Sequence, residues 1–131
     1  MEFAFPWPLS LGEWLAWSCA VVTVLLGLFL LFAPTSGLRL YRLQTLPEHP
    51  EAVASARANL AGFQIALGLC CILLAQPLLY IALGLAWALT GFGRLVSMLS
   101  DDGNTLYNWI SLILEIILAL SVLLFAFGLV P

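Results

Sequence analysis

The sequence contains no lysine and one histidine, and charged residues occupy only 8% of its 131 positions. With a net charge of -3 and no basic run, the chain lacks the electrostatic surface that binds nucleic acid. A single histidine, His49, excludes a bis-histidine haem and a histidine-rich iron site. We therefore expect no nucleic-acid partner, no metal site and no cofactor.

Catalytic signatures are missing as well. The three cysteines, Cys19, Cys70 and Cys71, form no Cys-x-x-Cys motif, which makes quinone-linked disulfide chemistry improbable. We interpret them as apolar packing residues. The sequence also has no glycine-rich phosphate loop and no nucleophile motif. We predict no catalytic residues and a protein that is not an enzyme.

Apolar residues, by contrast, make up 63% of the chain, and the mean hydropathy is +1.11. They form four runs, at about residues 14–33, 58–75, 78–99 and 106–130. Each run approaches the ~20 residues that a helix needs to cross about 30 Å of hydrocarbon. No alternating pattern favours a barrel, and single strands do not satisfy their backbone in lipid. The sequence predicts an all-α integral membrane four-helix bundle, two helical hairpins in a single domain, residues 1–131.

The N-terminal stretch MEFAFPWPLSLGEW carries an acidic residue where a secretory signal has lysine or arginine, and no cleavage site follows the first run. We expect the first span to be retained. The stretch is also rich in aromatic residues, which suits a short interfacial segment, while a loose tail is the alternative. The aromatic residues concerned are Phe3, Phe5, Trp7, Trp14 and Trp17.

Basic residues indicate the orientation. All four arginines, Arg39, Arg42, Arg57 and Arg94, fall on or near the side that holds the first and third connections. Positive residues in short loops mark the cytoplasmic side, so both termini should face away from the cytoplasm of a bacterial inner membrane. In the connection at 35–56, the first part, GLRLYRLQTL, either lies along an anionic inner leaflet or is simply solvated. The second part, LPEHPEAVASAR, predicts a helix start with Pro50 near the first position and Glu51 in the first turn.

One polar cluster is expected inside the bilayer. Arg57 and Gln64 share a face of the second helix, and a short turn makes the third and fourth helices neighbours. Counted from the inner interface, Gln64, Arg94 and Glu115 lie in one layer about 6–10 Å deep. Because an isolated charge at such depth is unfavourable, we predict that Arg94, assisted by Arg57, pairs with Glu115, and that Gln64 supplies further hydrogen bonds.

Two interpretations of this cluster stay open. It either fixes the register of the helices, or it binds a ligand, a lipid headgroup or an ion. Small residues spaced four apart also predict close helix packing, within the chain or against a second protein. The residues of these faces are Ala58, Gly62 and Ala66 in the second helix and Gly84 and Ala88 in the third.

The segments SARANLAGFQIALGL, GFGRLVSMLSDDG and LEIILAL resemble a bacterial family catalogued as domain of unknown function 4345, akin to the wider DoxX-like group. The resemblance implies a small four-helix membrane protein without an established activity. The family has a glycine pair where this chain has Ala61 and Gly62, a change that still permits close packing. The other matching positions are Arg57, Ala58, Gly68, Leu69, Gly93, Arg94, Asp102, Gly103 and Glu115.

Two functional hypotheses follow. The first is an accessory or interaction subunit that contacts the bilayer and a membrane protein partner, or a second copy of itself, through its small-residue faces. The second is a binding or transport protein for a small molecule, a lipid or an ion that uses Arg57, Gln64, Arg94 and Glu115. A proton path is disfavoured because, beyond Glu13, the outer halves of the spans carry no ionisable residue.

Overall fold

A computed structural model of the chain describes residues 7–44, 46–101 and 104–129. Within these ranges the chain forms five helices and no strand. They are α1 (Leu11–Phe32), α2 (Pro34–Leu40), α3 (Pro50–Leu74), α4 (Pro77–Ser100) and α5 (Leu106–Ala126). All except α2 are long and apolar enough to cross a bilayer. The predicted all-α fold with four spans is confirmed, and it indicates a multi-pass membrane protein.

Helix α1 begins at Leu11, three residues before the predicted apolar run. The hydroxyl of Ser10 accepts a hydrogen bond from the backbone N–H of Glu13 at 3.2 Å, and the Glu13 carboxylate accepts one from the N–H of Leu9 at 2.9 Å. This S-x-x-E pattern satisfies N–H groups that a helix start otherwise leaves unpaired. The pattern is readable in the sequence and extends the first span toward the N-terminus.

Helix α3 begins at Pro50, as expected from a proline in the first turn, and ends at Leu74 because Ala75 adopts a left-handed conformation with φ of 50°. Its segment Ala56–Ala61 is π-helical, which the sequence did not predict. Pro77 then starts α4. The second span is therefore longer than the predicted run and continues beyond it toward α2.

Helix α2 lies within the connection that was predicted as a loop. Pro34 starts it directly after α1, and it ends at Leu40. Arg42, two residues later, adopts a left-handed conformation with φ of 59° that turns the chain. The N–H of Leu43 donates to the carbonyl of Leu38 at 2.8 Å, and the N–H of Arg42 donates to that of Arg39 at 3.0 Å. These two bonds form the turn that commonly closes a helix. The chain thus stays compact at this end of the bundle.

The four long helices form a closed ring in the order α1, α3, α4, α5. Packing is most extensive between α4 and α5, while α1 lies against both α3 and α5, and α3 meets α4 over a smaller contact. Consequently α3 and α5 occupy opposite corners. The buried core at the centre consists of Ala16, Cys19, Ala20, Cys71, Tyr80, Leu83, Trp87, Ala119 and Val122.

The predicted interfacial segment falls partly outside the described residues, since Phe3 and Phe5 precede residue 7. Its described tryptophans cluster at the start of α1. The rings of Trp14 and Trp17 meet edge to face at 5.5 Å, and Trp7 lies 6.2 Å from Trp17. Such a group of indoles suits the boundary between headgroups and hydrocarbon.

Candidate functional site

Arg94 of α4 and Glu115 of α5 form an ion pair. Arg94 Nε donates to Glu115 Oε1 at 2.8 Å, and Nη2 lies 2.7 Å from the same oxygen. The Nη1 group donates to the side-chain oxygen of Asn108 at 2.8 Å. Helices α4 and α5 run antiparallel side by side, so residues at a similar distance from the turn that joins the two helices lie opposite each other. Glu115 is only 6% exposed, so the pair lies inside the protein.

The second carboxylate oxygen of Glu115 has a different environment. Oε2 is buried and has no hydrogen-bond partner among the residues described. It lies beside α4, 3.8 Å from the position that a Cβ atom at Gly91 would occupy. A buried carboxylate oxygen normally accepts at least one hydrogen bond. The ion pair is therefore complete on one oxygen, while the other is a buried acceptor without a donor among the described residues.

Two predicted members of the cluster lie elsewhere, which corrects the prediction of a single four-residue group. Gln64 donates from Nε2 to the hydroxyl of Tyr41 at 3.2 Å. Arg57 is exposed, and no ion pair of the described chain includes it. The reason is the order of helices in the ring: both residues belong to α3, on the corner opposite Glu115.

A cavity of about 540 Å³ opens between α1 and α5 and includes the ion pair in its wall. The stretch of α5 that borders it, from Tyr107 to Leu118, spans about 16 Å at 1.5 Å per residue. This is about half of a ~30 Å hydrocarbon core. Most of the wall is apolar, and the lining residues are Val22, Leu26, Leu40, Tyr41, Trp87, Arg94, Tyr107, Ile110, Ser111, Leu114, Glu115, Ile117 and Leu118.

A smaller cleft of about 150 Å³ lies on the other side, between α3 and α4, and includes Gln64. Tyr41 and Trp87 border both spaces. The indole N–H of Trp87 donates to the hydroxyl of Thr23 at 2.9 Å, and both residues are buried. This bond links α4 to α1 across the centre of the ring and separates the two clefts.

Tyr107 connects the ion pair to α2, a role that the sequence did not predict. Its hydroxyl donates to the backbone carbonyl of Leu40. The guanidinium carbon of Arg42 lies 5.0 Å from the centre of its ring, and that of Arg94 lies 5.8 Å away. Cations at such distances are attracted to an aromatic face. Asn108 was missed too, although it precedes Glu115 by two helical turns and so shares its face.

The two predicted faces of small residues, one in α3 and one in α4, differ in whether another helix packs against them. A Cβ atom at Gly84 would stand 2.6 Å from Leu123, and Ala88 is half-buried, so this predicted face lies in the contact between α4 and α5. In α3 the close approach is instead at Gly68, where a Cβ would meet Val24 at 2.5 Å. The predicted ridge of α3 is exposed, and nothing lies within 4 Å of a Cβ at Gly62. Its other residues are Ala58 and Ala66.

Comparison with known proteins assigns the chain to a family. Residues 12–126 match the family described as a domain of unknown function (DUF4345), and the chain therefore belongs to it. Among curated proteins and among solved structures, nothing matches the chain.

Proposed function

We propose that this member of the DUF4345 family is a non-enzymatic membrane protein that binds a neutral amphipathic molecule in the cavity between α1 and α5. One observation carries the proposal: Glu115 Oε2, buried and without a donor among the described residues, belongs to a residue in the wall of a 540 Å³ apolar cavity. A buried acceptor left unpaired is unfavourable by about 1–3 kcal/mol. Oε2 has almost no accessible surface, so we propose that a small movement of the cavity wall lets a ligand donate a hydrogen bond there and removes that penalty.

Charge selects the class of ligand. Arg94 and Glu115 neutralise each other, so the site has no net charge to compensate an ionic headgroup that enters the apolar cavity. A hydroxyl or an uncharged N–H group donates to Oε2 without adding a charge. The apolar walls contributed by Leu26, Leu114 and Leu118 suit a hydrocarbon tail beyond the headgroup.

Photolabelling tests this proposal directly. The full chain in phosphatidylcholine nanodiscs is irradiated with a diazirine-bearing n-decanol or with its methyl ether, and labelled residues are located by mass spectrometry. The alcohol is expected to label cavity residues such as Leu114 and Leu118 more strongly than the ether, which has the same tail but no donor. Equal labelling by both probes, or labelling spread evenly over the outward faces, would refute the proposal.

A substitution at Gly91 provides a matched control. Space exists there, because the nearest atom to a new Cβ would be Leu112 Cδ1 at 3.5 Å. In Gly91→Ser the new hydroxyl is expected to donate to Glu115 Oε2 and to reduce labelling by the alcohol about tenfold. Gly91→Ala adds a similar volume without a donor and should retain labelling. Equal effects of the two substitutions would assign the change to volume.

A role as an interaction subunit is the second candidate. It is supported by the exposed ridge of α3, in which Ala58, Gly62 and Ala66 leave room for a close helix approach. The same face carries Cys70, which is exposed. Cross-linking at Cys70 with a membrane-permeant bismaleimide should give a dimer or a defined larger adduct, and Cys70→Ser should give none. A cysteine that reacts with a monofunctional maleimide but forms no adduct would count against this role.

We further propose a bacterial inner membrane, with both termini on the non-cytoplasmic side. The support is the position of all four arginines at the end of the bundle that carries α2 and the α4–α5 turn. A reporter enzyme that works only outside the cytoplasm should be active when it is fused to either terminus. A reporter that works only in the cytoplasm should be inactive in the same positions, and activity there would contradict the proposed orientation.

A further inference from the structure

A second cavity, of about 640 Å³, lies where α2 meets the loop that leads to α3. Its lining residues include two arginines, Arg39 and Arg42, and two uncharged polar residues, Thr35 and Gln44. No carboxylate of the described residues lines it. The described residues contain two ion pairs, His49 with Glu51 and Arg94 with Glu115, and neither pair includes Arg39 or Arg42. Two positive charges therefore share a concave surface without an acidic partner.

We propose that this cavity binds the phosphate group of an anionic phospholipid. A guanidinium fork matches the oxygens of a phosphate with two parallel hydrogen bonds, and both arginines are exposed and line the same cavity. The remaining wall includes Leu38, Leu43 and Val53, which suits the glycerol and first methylenes of a lipid. This apolar part favours a phospholipid over free phosphate.

The position of the cavity agrees with a headgroup site. Helix α2 follows directly on the membrane-spanning α1, since only Ala33 separates Phe32 from Pro34. The end of a spanning helix is the depth at which lipid headgroups begin. Basic residues at this level are attracted to anionic lipids. The site is distinct from the cavity between α1 and α5, and its test does not depend on the function proposed for that cavity.

The backbone of Arg42 adds an independent argument. Its φ of 59° is left-handed, at the position after a helix that is most often glycine because a Cβ atom is disfavoured there. A left-handed residue other than glycine is disfavoured, which makes Arg42 a candidate for a functional position. Arg42 is a lining residue of the cavity, and its guanidinium rests over the ring of Tyr107, so the unfavourable backbone places a charged residue beside the proposed site.

The experiment uses the purified full chain in non-ionic detergent and measures the shift of its unfolding midpoint with added ligand. Dioctanoyl phosphatidylglycerol is compared with dioctanoyl phosphatidylcholine and inorganic phosphate at equal phosphorus concentration. The variants are Arg42→Gly and Arg39→Gln, and Arg57→Gln is the control because it removes an exposed arginine that does not line the cavity.

Wild type and Arg57→Gln are expected to bind phosphatidylglycerol at least tenfold more tightly than phosphatidylcholine. Both cavity variants should lose about tenfold in that affinity. Without lipid, Arg42→Gly should unfold at the wild-type midpoint or above it, because glycine suits the left-handed turn. Unchanged phosphatidylglycerol affinity in Arg42→Gly, equal binding of the two lipids, or an equal effect of inorganic phosphate would overturn the assignment.

Discussion

The indole N–H of Trp87 donates a 2.9 Å hydrogen bond to the hydroxyl of Thr23, and this bond joins opposite corners of the helical ring. Thr23 in turn donates to the backbone carbonyl of Cys19 at 2.8 Å. Both side chains are buried, so neither has water as an alternative partner. The bond fixes Trp87, which together with Tyr41 borders both clefts, and thereby helps to set the shape of the cavity beside the ion pair.

Thr23→Val should therefore destabilise the protein. Valine keeps the shape of threonine and leaves the indole N–H of Trp87 buried without an acceptor, which is unfavourable by about 1–3 kcal/mol. Unfolding in mixed detergent micelles measures the change. Thr90→Val is the control, because the Thr90 hydroxyl is exposed and bonds only within its own helix, to Ala86. A loss no larger than that of the control would mean that the bond is not needed for stability.

The Arg94–Glu115 pair predicts non-additive effects. Arg94→Leu or Glu115→Leu alone leaves an unpaired charge inside the protein and should destabilise it by about 3–5 kcal/mol. The double variant removes both charges and should be more stable than either single variant. The unfolding free energies of the wild type, the two single variants and the double variant give the coupling energy between Arg94 and Glu115. Arg57→Leu, at an exposed arginine, should change stability little, and additive losses in the cycle would contradict a coupled pair.

The contact between Arg94 and Glu115 was accessible from the sequence because it depends on one short turn. The segment between α4 and α5 is too short for any arrangement except adjacent antiparallel helices, so spacing from the turn gives the depth of each residue. Asn108 follows from the same argument, since it lies two helical turns before Glu115. Local connectivity thus determines this part of the site.

The partners of Gln64 and Arg57 depend instead on the order of helices around the ring, which the sequence does not state. Helix α3 offers two faces with small residues, one with Ala58, Gly62 and Ala66 and one with Ala61 and Gly68. Only the second complements Val24 of α1, and this choice turns Gln64 toward Tyr41. Helix α2 was hidden for another reason, because arginine stands where its closing turn normally has glycine.

The two glycines of α3 provide a direct test of that packing. In Gly68→Ala the new Cβ would stand 2.5 Å from Val24 Cγ2 and 2.9 Å from the carbonyl oxygen of Ala20, so the helices must separate. We expect a loss of about 1–3 kcal/mol in unfolding free energy. Gly62→Ala meets nothing within 4 Å and should be neutral or slightly stabilising. Equal gains at both positions would show that helix propensity, rather than packing, governs the effect of these substitutions in α3.

Tyr107→Phe should loosen α2 without disturbing the spans. The substitution removes the hydrogen bond from the tyrosine hydroxyl to the carbonyl of Leu40 and keeps the ring beneath Arg42. Loss of one such bond lowers stability by about 0.5–1.5 kcal/mol. Because the bond holds the end of α2, hydrogen exchange should accelerate in residues 34–40 and stay unchanged in α4.

Tyr80→Phe is the matched control for this prediction, since Tyr80 lies near the start of α4, at the end of the bundle opposite α2. It should leave exchange in residues 34–40 at the wild-type rate. Leu40 and Tyr41 border the cavity between α1 and α5, so a looser α2 also exposes the end of that cavity nearest the ion pair. In Tyr107→Phe the photoreactive alcohol should therefore enter and leave faster. Unchanged exchange in α2 would mean that other contacts, such as the closing turn at Arg42, hold this helix in place.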